Sequence, residues 1–374
     1  MSTPPVPRAE VVVDLDAVRH NVRTLRELTG VPSMTVVKAD GYGHGMVDVA
    51  RAARDAGSEW LGVATLDEAL VLRAGGDLGR VLCWLTVPGD AWAAAVEADI
   101  DVTAYSVAEL DEVEAAVAAA GRPARVQLKV DTGLSRGGAT LADWPAVVAR
   151  ALRGERDGTW RVTGIWSHLA ASDEPEHPAN DTQEAAFRAA LEVAHELHPE
   201  VRHLANSAAG ILRPGSRFDL VRFGLASYGL DPAPGRTPDL GLVPAMTVRA
   251  TLAMTKPIHA GAGVSYGHTW HAEHDTTVGL VPVGYGDGVP RHASNTAHVL
   301  VDGKQRALRG RVCMDQFVVD LEGDTPPPGS DVVLFGAGRH GEPTAQDWAE
   351  AAGTISYEIV TRVGGRMTRR TVGA

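Results

Sequence analysis

Apolar and polar positions along the chain fall into two regimes. In the first, short apolar runs at residues 35–38, 60–64, 81–85, 101–105, 126–130, 164–168, 203–205 and 220–223 read as strands. Alanine-rich stretches between them, such as 106–120 and 182–197, space their apolar residues as amphipathic helices packed outside a parallel sheet. Eight strand–helix units predict a (β/α)8 barrel of the TIM type. A doubly wound open sheet is the alternative; eight strands and no early Gly-x-Gly-x-x-Gly turn disfavour it.

The regime changes at residues 229–244, where four prolines and three glycines exclude regular structure. Beyond it, short β-like runs at 278–283, 298–301 and 317–321 are punctuated by turn signals such as Asp302-Gly303, and only 345–352 reads as helical. The pattern therefore predicts a barrel domain over residues 1–235 and a smaller, mainly β domain over 236–374. Residues 10–14 read as a further strand before a helix starting near Asp16, and the pattern assigns that strand no partner.

Composition narrows the function. Among 374 residues, 47 are acidic and 35 basic, a formal charge of -12 that disfavours a phosphate-backbone partner. No long uncharged apolar run occurs, and the opening residues lack the apolar core of a signal peptide, so a soluble, cytoplasmic protein is expected. The two cysteines, Cys83 and Cys313, are too few for a disulfide framework and have no metal-ligand spacing. No metal site is expected.

The chemistry starts at Lys38, at the end of the first barrel strand and before a glycine-rich turn holding Tyr42 and His44. A lysine desolvated there has a lowered pKa, and its neutral amine can condense with a carbonyl. An arbitrary strand-end lysine more often snorkels to water. Gly41, Gly43 and Gly45 favour the functional reading, because they let backbone approach a ligand closely.

Catalytic residues of such barrels come from the carboxyl ends of strands, and these ends are polar here. Lys129 and Asp131 close the fifth strand with Arg136 just beyond; His168 ends the sixth, Asn206 and Ser207 the seventh, Arg222 and Gly224 the eighth. Each alone reads as a solvated loop residue, and their coincidence on one rim argues for a site. Ser207-Ala208-Ala209 and Gly224-Leu225-Ala226 can converge backbone N–H groups on an anion. A phosphate site with a strand-end lysine suggests pyridoxal 5′-phosphate.

Residues 37–45 (VKADGYGHG) resemble the cofactor-lysine motif of the alanine racemases, fold-type III pyridoxal-phosphate enzymes. Seven further ordered matches follow, at 129–136 (KVDTGLSR), 167–170 (SHLA), 206–208 (NSA), 221–225 (VRFGL), 265–267 (SYG), 284–288 (GYGDG) and 310–316 (GRVCMDQ). Residues 354–359 are also similar to the family's tail, whereas 362–370 depart from its usual proline-containing ending and are assigned no role. The resemblance implies that Lys38 carries the cofactor as a Schiff base and that Tyr266, from the partner subunit of a homodimer, is the opposing base. It implies that Arg136 and the partner's Met314 backbone N–H hold the substrate carboxylate. Tyr42, Ser207, Gly224, Leu225 and Tyr357 would contact the cofactor phosphate, with Asn206 and His168 nearby and Arg222 facing the pyridine nitrogen. In some relatives the residue matching Lys129 is a carbamate; an ordinary Lys129 interacting with Asp131 is the alternative.

These residue types suit racemisation. The α-proton of an amino acid is too weakly acidic to leave unaided, so the cofactor must take up the electrons, and inversion needs a proton removed on one face and returned on the other. Lysine and tyrosine both titrate near pH 10 when unperturbed, so both must be tuned to act as bases. Arginine stays protonated and would leave the pyridine nitrogen an acceptor, weakening the electron sink and discouraging transamination or decarboxylation. The expected activity interconverts L- and D-alanine and supplies D-alanine for peptidoglycan. A related decarboxylase of basic amino acids is disfavoured by Arg222 and the Ser-Tyr-Gly motif, and a non-catalytic cofactor carrier by the second domain.

Overall fold

The structure is a computed structural model that describes residues 7–373. They divide into two compact units, one of residues 19–41 and 45–242, the other of residues 7–18, 42–44 and 243–373. The first strand, β1 (Ala9–Asp14), belongs to the second unit.

The larger unit is built on eight parallel strands: β2 (Ser33–Val36), β3 (Trp60–Val63), β4 (Arg80–Cys83), β5 (Asp101–Ala104), β6 (Ala124–Lys129), β7 (Trp160–Trp166), β8 (Val201–His203) and β9 (Val221–Phe223). They run in spatial order β8-β7-β6-β5-β4-β3-β2-β9. Between the end strands, Asp219 N–H donates to Arg202 O at 3.0 Å and Arg222 N–H to Ala205 O at 3.1 Å, nearly closing the barrel. All eight predicted runs are strands. Some end one or two residues before the predicted run does, as at Val36, Val63 and Cys83, although Val37 N–H still donates to Gly62 O at 2.8 Å and Leu85 N–H to Ala64 O at 2.7 Å.

Helices cover the barrel as the alanine-rich periods require. Helix Val107–Ala120 is capped by Ser106, whose hydroxyl accepts from the Glu109 N–H at 3.2 Å, and buries Leu110, Val113 and Ala116. The amino ends of the strands are closed by charge pairing. Asp101, with a fully buried side chain, accepts from Arg80 at 2.7 Å, Arg125 at 2.9 Å and the Thr163 hydroxyl at 2.5 Å. At the opposite, carboxyl end of β6, Lys129 is buried with no ion pair among the described residues.

The smaller unit holds a nine-stranded sheet with β10 (Met246–Thr251), β11 (Met254–Ile258), β12 (Thr276–Val281), β13 (His298–Val301), β14 (Lys304–Arg309), β15 (Phe317–Asp320), β16 (Asp331–Phe335) and β17 (Thr368–Val372). Its order is β11-β12-β15-β14-β13-β16-β10-β1-β17. The amino-terminal strand thus lies between β10, antiparallel, and β17, parallel. Helix Ala345–Ala352 matches the predicted range. A second helix, Ser356–Arg362, stands where the pattern predicts none, since two turns are too short to display a period. No helix among the described residues is long and apolar enough to cross a membrane.

Candidate active site

Lys38 lies two residues beyond the end of β2, half-buried rather than buried. The chain then turns through left-handed conformations at Ala39, Asp40, Gly41 and Tyr42, three of them non-glycine, a concentration of backbone strain of the kind kept at functional sites. Met46 N–H donating to Asp40 at 2.9 Å and Gly45 N–H to Asp40 O at 2.8 Å hold the turn. Burial lowers the Lys38 pKa, Arg136 and Arg222 lower it further, and Glu68 opposes them. The amine lies 5.9 Å from the Trp84 ring centroid.

Arg222, in β9, is 4% exposed and has only neutral acceptors. Its Nη1 donates to His203 Nδ1 at 2.9 Å; its Nη2 reaches Ser167 O at 2.9 Å, His168 Nδ1 at 3.0 Å and Leu204 O at 3.0 Å. Because a guanidinium only donates, both imidazoles accept at Nδ1 and carry their proton on Nε2. His203 Nε2 accordingly donates to Gln127 Oε1 at 2.8 Å. Burial first, and then Arg222, push both histidines well below 6.5, so both are neutral. Burial alone pulls Arg222 down to about 9, and it remains a cation at neutral pH. Its Nε–H has no acceptor among the described residues.

Trp166 organises the same interior. Its ring stacks on His203 with centroids 5.5 Å apart, and Arg222 and Lys129 lie 4.9 and 4.5 Å from its centroid. Lys129 is also 5.3 Å from the Tyr105 ring, and burial, then Arg222 and Arg136, lower its pKa to about 8. Asp131 makes no ion pair with it, accepting instead from the Gly133 and Ser135 N–H groups at 2.9 and 3.1 Å. Arg136 is exposed, with no hydrogen bond among the described residues.

At β8 and β9 the anion-binding features assemble. Asn206 caps helix Ser207–Leu212 by accepting from Ala209 N–H at 3.1 Å, and its amide donates to Ser172 Oγ at 2.7 Å, so its side chain is committed to holding this turn. The Ser207 hydroxyl accepts from Gly224 N–H at 2.9 Å. The first-turn N–H groups of Ser207, Ala208 and Leu225 are buried and have no acceptor among the described residues.

The remaining candidates belong to the smaller unit. Tyr42 is buried, its phenol pushed up by burial and by Tyr357, whose ring lies 6.2 Å away. A Cβ on Gly43 would lie 2.3 Å from the Val360 carbonyl oxygen, so only glycine fits beside that helix. Tyr266 is 70% exposed, between Ser265 and Gly267, which both have positive φ. Ser265 Oγ donates to Arg311 O at 2.7 Å and lies 3.3 Å from Cys313 Sγ, tying the Tyr266 turn to the segment carrying Met314. Sequence reasoning missed Trp84, Trp166, Gln127 and His203. Their only signal was inward placement on barrel strands, which a core residue shares.

Known proteins match nearly the whole chain in sequence and fold. The N-terminal domain of the alanine racemases matches residues 13–232, and their C-terminal domain residues 245–371. The alanine racemase of Salinispora arenicola is 55% identical over 366 residues, 97% of this chain and 98% of that protein. That of Thermobifida fusca is 53% identical over 369 residues, 98% of each. The solved alanine racemase of Streptomyces coelicolor A3(2) superposes with a TM-score of 0.97 at 54% identity, covering 98% of both chains. The Bacillus anthracis enzyme with bound L-Ala-P gives 0.89 at 33% identity, over 99% of this chain and 96% of that one.

Proposed function

Because the chain belongs to the alanine racemase family, we propose that it interconverts L- and D-alanine with pyridoxal 5′-phosphate, Lys38 and Tyr266 moving the proton on opposite faces of the substrate. The observation that carries this reading is a desolvated Lys38 in the electrostatic field of a buried Arg222 that has no carboxylate partner. The donor set suits the cofactor. The unpaired Arg222 Nε–H fits the lone pair of a pyridine nitrogen, and the N–H groups of Ser207, Ala208 and Leu225 fit a phosphate. When bound, that cofactor supplies an electron sink that lets the α-proton leave.

The chain's own residues do the rest. Lys38 would hold the cofactor covalently, and its lowered pKa suits its amine to act as a base. Tyr266 takes or returns the proton on the other face, contributed by the second copy of a homodimer; its exposed phenol is available to another molecule. Arg136, without a hydrogen-bond partner among the described residues, pairs with the substrate carboxylate, and the Met314 N–H of the second copy donates to the same group. Tyr42 and Tyr357 contact the cofactor phosphate, His168 supports Arg222, and Asn206 holds the phosphate turn. Residues 1–235 thus supply most of the cofactor's contacts, and 236–374 supply Tyr357 and the second base. D-alanine made this way serves peptidoglycan assembly in the cytoplasm. The test is D-alanine formation from L-alanine by purified protein loaded with the cofactor, read by a coupled D-amino-acid oxidase. No D-alanine above the boiled control sinks the proposal.

A further inference from the structure

We propose that Arg366 is a positioning residue for the substrate carboxylate, acting through Asp287 on the backbone N–H of Met314; this rests on the role proposed for Met314 above. The starting observation is a buried carboxylate. The Asp287 side chain is fully buried, yet Arg366 Nε and Nη2 donate to its two oxygens at 2.9 and 3.0 Å, and Arg8 Nη2 donates at 3.0 Å. Burial alone would raise its pKa, but the bonds from Arg8, Arg366 and Gly284 N–H outweigh it and hold Asp287 below the usual carboxylate range. It is an anion fixed between two cations.

What Asp287 does with that charge is local. It accepts from Gly284 N–H at 3.1 Å and so closes the turn 284–287 on itself. The next two N–H groups of that turn point outward. Tyr285 N–H donates to Cys313 O at 3.0 Å and Gly286 N–H to Met314 O at 2.9 Å. The approach is close enough that a Cβ on Gly284 would lie 2.2 Å from Cys313 O. Arg366 also spans the pair, since its Nη1 reaches Asp315 at 2.6 Å.

Peptide geometry converts this into orientation. The carbonyl of Cys313 and the N–H of Met314 belong to one planar trans unit, so they point in opposite directions. Once Tyr285 N–H holds the carbonyl, the direction of Met314 N–H is set. That N–H has no acceptor among the described residues. The chain of cause runs from Arg366 to Asp287, to the 284–287 turn, to the Cys313 carbonyl and so to a donor aimed by its own peptide plane. Arg366 touches no reacting atom. Its side chain is half-exposed, and Arg8 remains on Asp287 when it is removed, so the fold survives the test.

The test uses the full-length holoenzyme with Arg366→Met and Arg366→Lys, read by hydrogen exchange and by steady-state kinetics on L-alanine. In Arg366→Met, peptides covering 284–288 and 311–316 should exchange about tenfold faster, while the barrel strands exchange as in wild type. KM should rise about tenfold, the loss of one well-aimed hydrogen bond to a charge, with kcat within about twofold, because a carboxylate contact is made equally before and during proton transfer. Near-visible absorption of the cofactor should not change. Arg366→Lys should recover part of the KM, since an ammonium restores the charge beside Asp287 but not the two-pronged contact. Unchanged exchange at 284–288 and 311–316 would overturn the clamp whatever the kinetics. Faster exchange with an unchanged KM would overturn the link from the clamp to the substrate. Loss of kcat and KM together, with faster exchange throughout and no recovery by lysine, would make Arg366 merely structural. A wild-type holoenzyme making no D-alanine would defeat the functional reading, and the exchange comparison would still decide the clamp.

Discussion

Arg222 donates to His203 Nδ1 across 2.9 Å, and every acceptor around its guanidinium is neutral. A buried cation without a counter-ion is held by the number and direction of its hydrogen bonds, and each is expensive to lose. His203→Phe should destabilise the protein by about 2 kcal/mol, because it strands a guanidinium N–H and Gln127 Oε1 in the barrel interior. Chemical denaturation measures this as a lower midpoint at unchanged slope. A midpoint equal to wild type would mean that the His203 bond contributes nothing.

Lys38 is the amine proposed to hold the cofactor. Lys38→Ala should abolish the near-visible absorption of the bound cofactor and its fixation by borohydride, and reduce D-alanine formation to background. The melting temperature without cofactor should stay within about 4 °C of wild type, since a half-buried strand-end side chain contributes little to the core. Borohydride fixation that persists in the variant would assign the attachment to another lysine.

If Lys38 of one copy and Tyr266 of the other serve the same site, Lys38→Ala and Tyr266→Phe should each be inactive as homodimers and active when mixed. One site of the heterodimer collects both substitutions and the other collects neither, so activity should return to about half the wild-type value per dimer, by the symmetry of an isologous pair. Co-expression with two tags and purification through both gives the species to assay. A verified heterodimer without D-alanine formation would exclude the shared site.

Lys129 gives a pH dependence with a definite sign. Its pKa in the fold is about 8, against 10.5 for a free lysine, so the unfolded chain binds the proton more tightly. The resulting penalty on the fold is complete below pH 8 and fades as pH rises from 8 to 10.5. In CO2-free buffer, Lys129→Met should therefore be more stable than wild type at pH 7, and the difference in melting temperature should shrink toward pH 10. The neutral amine favoured here is also the form that adds to CO2, forming a C–N bond and releasing one proton. The product would be an anion in the field of Arg136 and Arg222. With 13C-bicarbonate, wild type should show a carbamate carbonyl resonance that Lys129→Met lacks; its absence in wild type would leave Lys129 an ordinary amine.

The local pattern by itself determined the eight buried runs of the barrel, the glycine-rich turn after Lys38 and the polar residues gathered at strand ends, because periodicity and turn chemistry report burial and backbone conformation within a few residues. It did not determine pairing. Only the tertiary structure placed β1 between β10 and β17, because a single apolar strand carries no information about which edge accepts it. The surroundings of Arg222 were equally hidden: Gln127, Trp166 and His203 come from three different strands, and each alone reads as core. Arg366 and Asp287, 79 residues apart, read as solvated charges until the fold brings one against the other beside Met314. The division has one physical cause. Conformation and burial are properties of neighbouring residues, whereas the protonation state of a histidine or the aim of a peptide N–H depends on which distant groups closure of the fold brings within 3 Å.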